Sequence, residues 1–410
     1  MTRSDERLVR AFDRLRESVV ANENCSGCGA CVLLDASLQM EIGDSSYCRP
    51  VRRGRPAPVD DAAKTFDQVC PGRRVRSPRP PGASIHPILG PVIGAYEAWA
   101  ADTTVRHRGS SGGALTALTG WLVETGEIPA FAAVRADAER PRRTIPLTIA
   151  SKEDALASAG SRYAPVSVLA GEGALTRGGI VGKPCEISAA RALTCSEDVH
   201  ERPLLLSFFC AGTPSQHATD QLVEDLGVPP NAELAELWYR GRGWPGRFTA
   251  VPVNGPSVST TYDESWGEHL GRATQWRCKI CPDGVGESSD ISAADFWQTD
   301  SDGYPLFVEG DGSSAILART PRGDDVLRRA FAEGVLIGRP LDLDQLAAVQ
   351  PLQVSRRRTL LGRLTGAVAA GRKVPRFIGF GLTRLAITDL RTSLRTARGS
   401  HTRVRHARTR

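Results

Sequence analysis

No stretch of these 410 residues approaches the length of a membrane-spanning helix. Lysine is almost missing, with only five among the 52 basic residues, and arginine supplies the rest; this is compositional bias, not mechanism. No internal repeat is visible, which sets aside solenoid and array architectures. A secretory leader is not expected either. Met1 to Val20 is charged throughout, and Leu8, Phe12, Leu15 and Val19 share one helical face, as in a short amphipathic helix. A cytoplasmic, reducing setting is therefore expected. There, ten cysteines point to metal or redox centres and not to disulfides.

The apolar fraction of 41% supports a sizeable core, and the length suits two or three domains. The formal charge of +6 hides a division: Arg356 to Arg410 holds 15 Lys or Arg against one acid, Asp389, a net of +14 against −8 for the rest. An acidic body with a basic tail does not suit a dedicated nucleic-acid binder. The tail has no role legible in the residues. An anionic membrane, nucleic acid or an acidic partner could each attract it, and its last dozen residues are expected to be disordered.

Cys25, Cys28 and Cys31 stand in Cys-Ser-Gly-Cys-Gly-Ala-Cys, and Cys70 follows before Pro71. That is the ligand run of a ferredoxin-type iron–sulfur cluster. Small spacers let the backbone curl close to inorganic sulfide, and the distant Cys closes the cluster. A structural zinc would also use four thiolates, but more often as two Cys-x-x-Cys pairs. Cys278 and Cys281 form one such pair, while Cys185 and Cys210 each end an apolar strand. Four thiols at the carboxyl edge of a sheet could hold a second cluster, and Cys48 and Cys195 are then left over.

Gly109-Ser110-Ser111-Gly112-Gly113 precedes a helical pattern from Ala114 to Thr125 and exposes backbone N–H groups suited to a phosphate, with Arg106 and Arg108 just upstream. The run also spells the hydrolase elbow, but it lacks the hydrophobic strand that the elbow needs. Gly241 to Gly246 spells a dinucleotide fingerprint, yet Pro245 and the alternating residues that follow make it a turn between strands. Arg162, Tyr163, Gly182 and Lys183 lie beside the expected sheet end: Tyr163 could stack on a flavin-like ring, and Lys183 could meet a phosphate or ring heteroatom. Asp290 and Asp295 follow Cys281 as caps or as cluster neighbours. No catalytic acid or base stands out; His107 and His269 are the nearest candidates.

Alternating strands and helices from 92 onward predict an α/β fold with α+β elements and a mainly parallel sheet, preceded by a Pro- and Gly-spaced linker from Pro81 to Pro91. A further helical stretch is expected near Leu382 to Arg398.

Taken in order over about residues 25–345, these segments resemble the coenzyme F420 hydrogenase/dehydrogenase beta-subunit family. The resemblance rests on the first cysteine run, Ser110 to Gly113, Gly160-Ser161-Arg162-Tyr163, Val181 to Cys185, Phe209-Cys210, Tyr239 to Trp244, and Cys278 to Cys281 with Ser289 to Ser292. Plant 7-hydroxymethyl chlorophyll a reductase is similar. The resemblance implies a flavin-binding core with FAD beside one or two 4Fe–4S clusters, and it strengthens the second cluster. Residues 1–80 would be the N-terminal helix and a small ferredoxin-like module. Residues 92–180 and 181–345 would be the two parts of the core, the latter with the second ligand set, and 346–410 a basic helical or disordered tail. The implied activity is oxidoreduction: single electrons through the clusters, hydride at FAD, with F420 or an organic substrate. Implied partners are ferredoxin or another redox protein and a small hydride donor or acceptor; self-association stays open. The alternative is a non-catalytic electron-transfer subunit of a larger redox complex.

Overall fold

The computed structural model describes residues 3–198, 201–299, 306 and 308–408. Its centre is an eight-stranded sheet in the order Leu336–Pro340, Gly94–Ala100, Ser314–Ala318, Ile291–Asp295, Leu204–Phe208, Gly178–Gly182, Ala130–Ala136, Thr144–Ile149. The four strands from Ile291–Asp295 to Ala130–Ala136 run parallel. The outer pairings are antiparallel, so the sheet is mixed, not mainly parallel as the alternation suggested. Seven residues separate Ala136 from Thr144, which allows a hairpin and is too short for a crossover.

Both faces of the sheet are covered. Leu204 and Leu206 join Phe131, Leu118, Leu122 and Leu327 on one side. Leu205 turns to the other side, with Ile180, Ile187 and Ala190. The period of two along a strand divides the run between two layers, one holding the helices Ala114–Glu124 and Pro321–Ala332, the other the helix Pro184–Leu193. A three-stranded antiparallel sheet of Leu234–Trp238, Phe248–Pro252 and Val258–Thr260 stands beside this body, and Gly241 to Gly246 is the expected turn between its first two strands. The helix Arg3–Ala21 packs on the helix Ala62–Val69, with Phe12 edge-on to Phe66 at 5.4 Å. No helix among the described residues is long and apolar enough to cross a membrane.

Two expectations for the connecting segments fail. Within the supposed linker, Ser84–His86 pairs antiparallel with Gly90–Val92, and Leu89 is buried. The pairing is held from outside, because the buried Arg319 guanidinium donates to the carbonyls of Leu89 and Pro91. The last dozen residues, expected to be disordered, are helical as far as Arg408, where the described residues end. Helix Leu382–Thr388 is followed by Leu390–Arg408, which lies along Pro351–Ala369. Glycine makes this approach close: a Cβ on Gly362 would stand 2.4 Å from the Ser393 carbonyl oxygen, and one on Gly366 2.1 Å from that of Ala397. Replacing Gly366 with valine is therefore expected to cost at least about 1–3 kcal/mol by overpacking. Thermal denaturation of the full chain measures this, and an unchanged midpoint would refute the close packing.

Three parts of the chain meet at Glu287. Its buried carboxylate pairs with the buried Arg357 at 2.6 Å and accepts the Ser77 hydroxyl at 2.5 Å. Arg357 also donates to the Pro282 carbonyl at 2.6 Å. The N-terminal module, the loop after Cys281 and the C-terminal helix are thereby tied together.

Candidate functional site

Cys25, Cys28 and Cys31 lie in the loop after the first helix, and Cys70 caps the C-terminus of Ala62–Val69. Gly27 and Gly29 take φ of 77° and 85°, and a Cβ on Gly29 would fall 2.1 Å from the Ser167 hydroxyl, so the loop curls in a way that larger residues would resist. Burial pushes the Cys28 thiol up to about 11. Cys31 and Cys70 are also raised, first by burial and then by neighbouring cysteines of the same group. Gathered, buried thiols of this kind ionise readily only against a positive centre. Among the described residues, no three His, Cys, Asp or Glu side chains converge as for a single metal ion. A cluster, with each thiolate on its own iron, requires wider spacing than a tetrahedral zinc.

The second group forms at the carboxyl ends of parallel strands. Cys185 opens the helix after Gly178–Gly182, and Cys210 stands two residues beyond Leu204–Phe208. Burial, and then Cys278, push Cys210 up to about 12, with Cys281 adding and Arg356 opposing. The Thr213 amide donates to the Cys278 sulfur at 3.4 Å. Cys185 is raised by burial and by Glu186, and it also feels Cys28 of the first group and Cys210 of the second. The two groups are thus neighbours. Cys48, left unassigned by spacing, is buried near Cys25, Lys183 and Glu186, and burial pushes it up to about 12. Nothing in the sequence marks this, because Cys48 arrives on a hairpin strand with no motif around it. Cys195 is exposed.

A cavity of ≈ 500 Å³ opens at the same strand ends and reaches Cys210. Its size suits a cofactor-sized ligand. Ser110, Ser111, Gly113, Arg162, Tyr163, Gly182 and Lys183 all line it, and Gly112 does not. The loop is pinned: Ser110 and Ser161 hydroxyls meet at 2.9 Å, Ser111 and Ser314 at 2.8 Å, and the Gly112 amide donates to Ser314 at 2.9 Å. Two lining cations are already engaged. Arg162 donates to the carbonyls of Leu237, Pro141 and Arg143 and to Thr144, so it ties loops together. Lys183 Nζ donates to the Val166 carbonyl at 2.7 Å and to Glu186 at 2.8 Å. Burial alone would depress its ammonium, but Glu186, with Cys185 and Cys210, outweighs that and raises it overall. His107 and His269 do not line the cavity. Asp290 caps and pairs: it accepts the Leu205 amide and the Arg191 guanidinium, each at 2.8 Å.

Sequence reasoning did not single out Arg240, which the structure places in the cavity wall. Its guanidinium pairs with Asp295 at 2.5 Å and lies over the rings of Trp244, Tyr262 and Trp297. Burial would lower its charge affinity, but Asp295 and the nearby tyrosines raise it overall. Tyr239-Arg240-Gly241 was the available signal, but it singled out no role for the arginine. Tyr163 packs on Trp266 with ring centres 4.9 Å apart.

Comparison with known proteins agrees with this geometry. Residues 95–171 match the N-terminal part, and 175–343 the C-terminal part, of the coenzyme F420 hydrogenase/dehydrogenase beta subunit. An uncharacterised protein of Methanocaldococcus jannaschii is 24% identical over 80% of this chain and 93% of its own length. The coenzyme F420 hydrogenase beta subunit of Methanothermobacter thermautotrophicus is 27% identical over 61% of this chain and 87% of its own. A chain of the F420-reducing NiFe hydrogenase complex from Methanosarcina barkeri superposes with a TM-score of 0.53 at 21% identity, over 72% of this chain and 98% of that one, a likeness of fold. The chain belongs to the coenzyme F420 hydrogenase/dehydrogenase beta-subunit family, whose members are redox subunits.

Proposed function

We propose that this chain is an iron–sulfur flavoprotein oxidoreductase. Cys25, Cys28, Cys31 and Cys70 hold an outer 4Fe–4S cluster, and Cys185, Cys210, Cys278 and Cys281 an inner one beside an FAD in the cavity. The observation that carries this reading is continuity: Cys185 links the first thiol group to the second, and Cys210 links the second to the cavity wall. Bound there, the clusters move single electrons and the flavin exchanges hydride, so one site joins the two kinds of transfer. The pinned Ser110–Gly113 loop supports a phosphate-binding role, through Ser110, Ser111 and the helix that begins at Ala114. Tyr163 supplies an aromatic face. Lys183 acts by holding Glu186 and its own strand end in place, because its ammonium is already partnered. Arg240 and Asp295 fix the aromatic wall opposite.

The substrate is F420 or an organic hydride acceptor, and the electron partner is ferredoxin or another redox protein. The roomy cavity favours catalysis over a pure relay subunit. Anaerobic purification with iron, sulfide and flavin analysis tests the proposal. Brown protein that releases a yellow cofactor on denaturation is expected; colourless protein without iron or flavin would overturn it. Turnover of F420 with ferredoxin by the isolated chain then separates the enzyme from a relay subunit.

A further inference from the structure

A second hollow, a groove of ≈ 360 Å³, adjoins the cavity and shares Ala211, Trp266 and Leu352 with it. Arg272, Lys279, Arg356 and Arg363 line it together with Cys278, and no carboxylate does among the described residues. Arg356 is 5% exposed, and its guanidinium donates to the carbonyls of Cys210 at 2.7 Å and Ala211 at 3.2 Å and to the Gln353 side chain. Arg363 donates to the Lys279 carbonyl at 2.9 Å. These neutral acceptors satisfy N–H groups without cancelling charge. Desolvation first, and then the like charges of Arg356 and Arg403, press the Arg363 guanidinium below its ordinary value. Four cations around one hollow outnumber the single cysteine in its wall, so the hollow favours an anionic occupant.

The origin of the four residues adds to the case. Arg272 and Lys279 belong to the family-matched region, whereas Arg356 and Arg363 come from the helix Pro351–Ala369, beyond its end at 343. The C-terminal extension therefore completes a hollow that the matched region only half builds. Because the hollow adjoins the cavity across Ala211, Trp266 and Leu352, its occupant can be one molecule with two ends.

Resting on the redox reading of the cavity, we propose that this groove binds the phosphate or carboxylate end of the small molecule whose reacting part enters the cavity. Guanidinium groups suit both anions, each offering paired N–H donors to paired oxygens.

Titration calorimetry on the full chain, prepared anaerobically, tests this with inorganic pyrophosphate in one arm and citrate in the other, to separate phosphate from carboxylate. Submillimolar binding of at least one probe is expected, weakening as salt rises. Arg272→Gln and Lys279→Gln, both at exposed positions, are each expected to weaken it about tenfold. Absence of binding to the unaltered chain, or equal binding by both variants, would overturn the site. So would variants that shift a cluster's midpoint potential in an EPR-monitored titration while leaving probe affinity intact, because the cations would then serve the neighbouring Cys278 thiolate. Iron and flavin analysis of the same preparation scores the redox reading separately.

Discussion

Replacing Cys281 with alanine is expected to remove about half of the iron from anaerobically prepared protein. The argument is one of grouping. Cys281 stands with Cys278 and Cys210, whereas Cys25 and Cys28 raise Cys31 and Cys70 and belong with them to a separate set. A cluster that loses one of four thiolates in the inner group should leave the outer one intact. Iron and sulfide should fall together, and the EPR signal of the reduced protein should simplify to one species. Unchanged iron would eliminate the inner cluster. Complete loss of iron would show that the two groups assemble as a unit, as the electrostatic influence of Cys28 on Cys185 permits. Mild denaturation distinguishes that outcome from unfolding.

The second large effect concerns stability. Glu287→Ala is expected to cost about 3–5 kcal/mol, because Arg357 would keep its charge in a buried place with its partner gone. Arg319, buried nearby and held down to about 10 by desolvation, would lose a compensating charge as well. Burial, and then Glu287, raise the carboxyl of Asp283, so removing Glu287 eases the charged form of Asp283, which recovers part of the loss. Urea denaturation of the full chain gives the magnitude. A cost below about 1 kcal/mol would mean that Asp283 takes over the pairing. Because Glu287 joins Ser77, the loop after Cys281 and the C-terminal helix, limited proteolysis should also release the C-terminal segment sooner in the variant.

The family, the first ligand run and the strand-ending cysteines are legible in the residues, because each depends on local spacing. Three thiols two residues apart need a tight loop whatever surrounds them. The parallel centre is legible too, since Gly178–Gly182 and Leu204–Phe208 read as unbroken apolar strands and lie covered on both faces. Long-range contacts decided the rest. Arg162 and Lys183 are polar residues at a sheet end in any reading; only the fold shows that carbonyls and Glu186 already engage them. Arg240 becomes a wall residue only when residues 244, 262, 295 and 297 converge on it. The tail reads as a solvated basic extension because composition does not register two glycines four residues apart meeting carbonyls of a helix thirty residues away.

Thiolate spacing is a property of the chain itself, and the sequence alone determined the cysteine pattern on which the proposed iron site rests. Whether a charge is free or paired depends on which segments are brought within a few ångströms. The tertiary structure alone therefore decided which cations belong to the scaffold and which face an open groove.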